Sequence, residues 1–299
     1  MIILITLLVV AFLFLLSVTV LLLFAGPIML LQPKRRKADF YLQQNHPVKP
    51  EDIKVNYENF ELEVEKDLTL RGWIVKPMQE IRGTLIYLHG VGDCKIAGLP
   101  FAEYMSANGY QVVIYDSRRH GESAGKFCTY GYYEKYDLIK MIDFLKQKYN
   151  INSVGLFGTS MGAAVALQTA AMDSRIKAVI SENSFSTLRK IFDDYQKRII
   201  KIPFHYLRNL VITRSEFIAN FKAREVSPLD AVKKIKVPIL FVVSKQDKHI
   251  NPKYTYQLYE NTPGRKELYI IENATHIDAW DLGGDEYHQK ILNFFRENL

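Results

Sequence analysis

From Thr84 onward, short apolar runs alternate with longer helical patterns, and this alternation restricts the chain more than any other feature. "TLIYLHG", "QVVIYDS", "SVGLFG", "IKAVISE", "VPILFVV" and "ELYIIEN" are dense in β-branched and aromatic residues and read as buried strands. Between them, "AGLPFAEYMSANG", "YEKYDLIKMIDFLKQKYN", "SMGAAVALQTAAMD" and "PKYTYQLYENTPG" have helical spacing, and "EYHQKILNFFREN" closes the pattern. Repeated strand–helix–strand units imply an α/β architecture, a mainly parallel sheet covered by helices on both faces. Upstream, "FELEVEKDLTLRGWIVKP" shows two alternating runs around Lys66 and Asp67, the pattern of an antiparallel hairpin, which brings the expected count to eight strands.

One interval breaks the rhythm. Residues 186–225 carry no strand signal, only amphipathic helical patterns interrupted at Pro203, and read as an inserted helical cap. The interval holds nine Lys and Arg against four Asp and Glu, together with Ile199, Ile200, Phe204, Tyr206, Leu207 and Leu210. Such a surface suits either anionic lipid or a helix layer with a solvated basic face.

The beginning of the chain obeys different rules. Residues 1–32 contain no charged side chain, and "IILITLLVVAFLFLLSVTVLLLF" exceeds the roughly 20 apolar residues that cross a bilayer as a helix. A secretory signal peptide is the competing reading, with cleavage near "LFAGP", but no basic stretch precedes the apolar run and no clear A-x-A site follows it. "PKRRK" directly after the span places the following chain in the cytoplasm by the positive-inside rule, giving a single-pass membrane protein. Residues 33–54 are basic and polar with Pro47 and Pro50, as in a linker, and a globular domain is expected over 55–299.

Composition removes several classes of function. Two cysteines, Cys94 and Cys128, are too few for a disulfide framework and lack zinc-ligand spacing, so they read as free thiols in a reducing compartment, with no metal site. The net charge of +7 comes without any nucleic-acid motif and is assigned to the membrane-facing end and the cap. No P-loop or dinucleotide fingerprint is present, and no cofactor is expected.

Chemistry concentrates at "LFGTSMGAAVA". Ser160 follows one strand at once and precedes a helix, the context that a G-x-S-x-G nucleophile elbow requires. Gly158 and Gly162 leave room that a Cβ would fill, and Ala163 and Ala164 let the helix approach the sheet. A serine hydroxyl needs a base, and the base an orienting carboxylate. "VVSKQDKHI" supplies Asp247 and "IIENATHID" supplies His276, each just past a strand, with His249 and Asp278 as neighbours that could match by chance. The Met161 amide and that of Val91, in "LHGVG", are the expected oxyanion donors, with His89 and Gly90 shaping the loop. Asp116 and His120 read as structural, Glu134 and Asp137 as helix-dipole complements, and Tyr130, Tyr132 and Tyr133 as packing aromatics.

These residues carry a likeness. With "YLHGVGD", "YDSRRHGESAG", "TYGYYEKYDL", "GTSMG", "SKQDKHI" and "ATHID", the chain from about residue 55 to 298 resembles the α/β-hydrolase superfamily, and within it serine hydrolases of the Bem46 and YqkD type. The resemblance implies Ser160 as nucleophile, His276 as general base and acid, and Asp247 as its partner, with Val91 and Met161 at the oxyanion. Two departures stand out: Arg119 where relatives carry glycine, and Val91 where a small polar residue is usual. Carboxylic esters, lipid-like or acylated given the apolar span, are the leading substrates. A thioesterase or peptidase with the same triad, or a membrane-tethered binding module, are the alternatives; the oligomeric state is not legible.

Overall fold

The computed structural model describes residues 1–200 and 205–299. Strands β1 (Asn56–Glu65) and β2 (Leu68–Lys76) form the hairpin read from the sequence, with Asp67 at φ 62° in its turn. The parallel part follows as β3 (Gly83–Leu88), β4 (Tyr110–Tyr115), β5 (Val154–Thr159), β6 (Ile176–Glu182), β7 (Ile239–Ser244) and β8 (Lys266–Ile271). The eight strands lie in the order β1-β2-β4-β3-β5-β6-β7-β8, antiparallel at β1–β2 and β2–β4 and parallel elsewhere.

Helices begin with α1 (Ile2–Leu31) and α2 (Ala38–Leu42), then α3 (Leu99–Ala107), α4 (Glu134–Tyr149) and α5 (Met161–Ala170). After β6 come α6 (Leu188–Ile200), α7 (His205–Ala219) and α8 (Pro228–Val232), then α9 (Lys253–Glu260) and α10 (Ala279–Asn298). Gly284, at φ 55°, interrupts the last, so that a short helical piece precedes the one its apolar spacing marks.

The inner strands β3 to β7 are apolar on both sides because both sides are covered. Ile86, Val113, Leu156 and Val179 pack with Leu138 and Met141 of α4 and Leu167 of α5. Their sequence neighbours Leu85, Val112, Phe157 and Ile180 pack on the opposite face with Phe101 and Met105 of α3 and Phe295 of α10. This period-two division is what a continuous apolar run does in a sheet with two covered faces.

Helices α6 and α7 occupy the interval read as a cap; Pro203 and Phe204 lie outside the described residues, as do the side chains of Ile199, Ile200 and Leu207. A third apolar cluster joins Leu188, Ile191, Phe192 and Ile212 to Met161 and to Leu31 at the end of α1. Among the described residues, α1 is the one helix long and apolar enough to cross a membrane. Its first half is exposed, whereas Leu22, Leu23, Gly26 and Leu30 form a half-buried stripe. A Cβ on Gly26 would lie 2.7 Å from a Val211 methyl, so glycine is what lets α7 approach.

Residues 33–54 are more structured than their polar composition indicates. They hold α2 and a 3-10 turn, Pro50–Ile53, because Tyr41 and Ile53 bury their side chains against the domain.

Candidate active site

Ser160 sits between β5 and α5 at φ 53° and ψ −113°, a backbone conformation that a non-glycine residue adopts only under constraint. The constraint is local. A Cβ on Gly158 would lie 2.5 Å from the Gly162 carbonyl, and one on Gly162 would lie 2.0 Å from the Leu88 carbonyl oxygen. The Ser160 amide donates to the Glu182 carbonyl at 2.8 Å, which ties the turn to β6.

The loops after β7 and β8 bring two further side chains to the same sheet edge. His276 Nε2 lies 3.0 Å from Ser160 Oγ, and its Nδ1 lies 2.6 Å from Asp247 Oδ2. Asp247 Oδ1 accepts from the amides of His249 and Ile250 at 2.7 and 2.9 Å, so both carboxylate oxygens are engaged. The neighbouring candidates do other things. Asp278 accepts from the Thr275 amide and hydroxyl at 2.6 and 2.8 Å and shapes the turn before α10. The His249 ring lies 5.4 Å from that of His276, with its pKa lowered by burial and by the other histidine.

The loop after β3 lies opposite. Gly90 approaches so closely that its Cβ would be 3.4 Å from that of Ser160. Met161 opens α5, where the first amides of a helix have no acceptor within it. Among the described residues, neither the Val91 nor the Met161 amide has a protein acceptor. His89 and His120 are fully buried crosslinks. The His89 Nδ1 faces the Gly90 carbonyl at 2.8 Å and its Nε2 accepts from the Ser117 amide at 2.9 Å. His120 does the same between the Arg118 carbonyl and the Gly92 amide, at 2.9 and 3.0 Å, and burial with His89 beside it pushes its pKa down to about 3. Both rings therefore protonate Nδ1, because a carbonyl can only accept and an amide can only donate. Arg119 stands at φ 68°, a left-handed position that glycine occupies with least strain.

Further polar groups near this edge escaped the sequence reading in part. Asp116 accepts from the amides of Lys95 and Glu122 at 2.7 and 2.9 Å, holding two loops together. Glu134 and Asp137 do more than complement the dipole of α4: Glu134 accepts from the amides of Thr129 and Gly131, each at 2.7 Å. Asp137 takes a two-pronged bond from Arg118 at 2.6 and 2.7 Å. Tyr130 packs, yet its hydroxyl also donates to the Leu30 carbonyl at 2.8 Å.

Ser160 and His276 open into a cavity of about 230 Å³. That lies just below the range of roughly 300 to 1,000 Å³ common for small-molecule sites, enough for a short substituent. Glu182 lines it, at the end of β6, accepting from the Tyr287 hydroxyl at 2.6 Å; burial pushes its pKa up to about 7. Arg36, Phe40 and Tyr41, from the segment before the hairpin, form another wall. An acidic residue closing an apolar strand was the one available signal for Glu182; nothing local marks Arg36 or Tyr41.

A family model described as Hydrolase_4, "Serine aminopeptidase, S33", matches residues 79–228. The chain is similar to the uncharacterized protein YqkD of Bacillus subtilis, 34% identical over 228 residues that cover 75% of this chain and 74% of YqkD. It is 28% identical over 264 residues to protein bem46 of Schizosaccharomyces pombe, covering 86% of this chain and 82% of that one. Among solved structures, the esterase Pf2001 of Pyrococcus furiosus matches with a TM-score of 0.70 and 25% identity over 84% of this chain and 95% of the esterase. The parallel sheet, its strand order and these matches lead to one conclusion: the chain belongs to this hydrolase family and is an α/β-hydrolase superfamily member of the Bem46 type.

Proposed function

We propose that the protein is a membrane-anchored serine hydrolase that cleaves carboxylic esters through an acyl-enzyme. The observation that carries this reading is the continuous chain of hydrogen bonds from Ser160 Oγ through His276 to Asp247, at 3.0 and 2.6 Å. His276 Nε2 takes the hydroxyl proton as Oγ attacks the ester carbonyl; Asp247 stabilises the imidazolium that forms and fixes its orientation. The amides of Val91 and Met161 receive the oxyanion. His276 then returns its proton to the departing alcohol, and water activated by the same ring releases the acid.

In this reading residues 1–32 are the anchor, 33–54 lead to the domain, and 55–299 form the hydrolase domain, with its cap over 186–225, on the cytoplasmic side. The cavity volume favours a short group at the reacting carbonyl, with any longer chain lying outside it. A fluorophosphonate probe tests the assignment. Wild type is expected to label and Ser160→Ala to remain unlabelled; a folded wild type that resists the probe, or an alanine variant that labels equally, overturns it. A panel of oxygen esters, thioesters and aminoacyl amides of increasing acyl length then fixes the bond and chain preferred.

A further inference from the structure

The segment between α1 and the hairpin is bonded to the domain along its length. The Leu31 carbonyl accepts from the Cys128 amide at 2.8 Å, and Arg35 Nη1 donates to the Gly121 carbonyl at 3.1 Å. The chain thus leaves α1 already docked, and over Lys34–Tyr41 it passes beside the loop that carries Val91.

There its contacts fall on Gly92 and Asp93. The Arg36 amide donates to the Gly92 carbonyl at 2.8 Å, and a Cβ on Gly92, whose φ is +75°, would lie 2.8 Å from the Lys34 carbonyl oxygen. Arg36 Nη1 donates to Asp93 Oδ2 at 3.0 Å. The Tyr41 hydroxyl, on a side chain that is buried, donates to Asp93 Oδ1, which also accepts from the Cys94 amide at 3.0 Å. From the opposite side the Gly92 amide donates to His120. Both backbone groups of Gly92 are therefore fixed, one residue from Val91, and the bond on one side comes from the segment that follows α1.

We propose that Arg36 and Tyr41 are positioning residues for the Val91 amide: acting through Asp93 and Gly92, they hold the 89–94 loop in the shape that aims this N–H at the oxyanion. The proposal rests on the hydrolase reading above. An oxyanion donor acts only when it is held within about half an ångström of its working place, and losing one altogether costs about 10²- to 10³-fold in kcat. A loop that keeps its residues but spends only one-tenth of its time in that shape loses about tenfold. The segment that leads from α1 to the domain then shapes the site and does more than connect the two.

The test uses full-length protein in detergent micelles and the double variant Arg36→Met/Tyr41→Phe, which retains side-chain bulk in the cavity wall. Hydrogen–deuterium exchange over residues 89–94 is read beside kcat and KM for p-nitrophenyl acetate. Exchange in that loop should quicken about tenfold while β5 and α5 stay protected, and kcat should fall about tenfold with KM within about threefold. Exchange equal to wild type overturns the proposal, and so does faster exchange with kcat unchanged. A wild type that neither turns over nor takes the fluorophosphonate probe overturns the hydrolase reading instead, and the exchange result alone then decides whether this segment holds the loop.

Discussion

Asp247 grips His276 with one oxygen while its other oxygen is held by two backbone amides, those of His249 and Ile250. The division fixes what an Asp247→Asn substitution would do. The asparagine oxygen stays with the backbone N–H groups, which turns the NH2 toward His276 Nδ1. The ring must then carry its proton on Nε2, where it cannot accept one from Ser160. We expect kcat of this variant to fall by about 10³- to 10⁴-fold with KM nearly unchanged, measured with a chromogenic ester against wild type of matched circular dichroism.

Gly162 and Gly264 should respond oppositely to the same methyl group. At Gly162 the added carbon meets the Leu88 carbonyl at 2.0 Å, which is main chain at the end of β3 and cannot step aside. At Gly264 the nearest atom is 3.5 Å away, an ordinary contact. Gly162→Ala is expected to lose about 3 kcal/mol or more of stability and Gly264→Ala to stay within about 1 kcal/mol. Urea unfolding midpoints of the two variants would show the contrast.

Glu182 makes stability depend on pH in an unusual direction. Its carboxyl is raised by burial from an ordinary 4.5 to about 7, so between those values the folded chain keeps a proton that the unfolded chain has released. Its contribution to stability therefore declines as pH rises from about 4.5 through 7 and stays low above that. Glu182→Gln can still accept from Tyr287 and does not titrate. Relative to wild type, it should gain on the order of 3 kcal/mol between pH 5 and pH 8; an equal difference at the two pH values would contradict the buried-acid account.

Arg118 ties the loop after β4 to α4 through Asp137, with side chains 6% and 3% exposed. Glu65 adds a bond at 2.9 Å, and the Tyr133 ring lies under the guanidinium at 4.8 Å. Arg118→Ala strands a buried carboxylate and is expected to cost about 3 to 5 kcal/mol. Arg118→Met/Asp137→Leu removes both charges and should recover most of that loss, a difference that thermal unfolding of the single and double variants would resolve.

The sheet was legible because its inner strands are short, continuous apolar runs set between helical patterns, and the hairpin because its alternation breaks at Lys66 and Asp67. The order Ser160, Asp247, His276 was legible because each follows an apolar run whose end the sequence marks; the structure brings those three side chains into one hydrogen-bonded chain. Glu182 was only hinted at, by its place at the end of an apolar strand, since its partner Tyr287 stands 105 residues away. Arg36 and Tyr41 were hidden for the same reason: they meet Asp93 across 57 and 52 residues, and polar residues between prolines carry no sign of what they will touch. Arg119 is a partial case, where its departure from glycine was visible and its positive φ was not.

The distance along the chain from Ser160 to His276, 116 residues, has a consequence for how the protein is made. The turn bearing the serine can form once β3, β5 and β6 have paired, but His276 follows only after β8, the last strand of the sheet in chain order. Under the proposed reading, a chain made only as far as β6 has the serine turn with nothing to take its proton, and the site is completed only when β7 and β8 join the sheet.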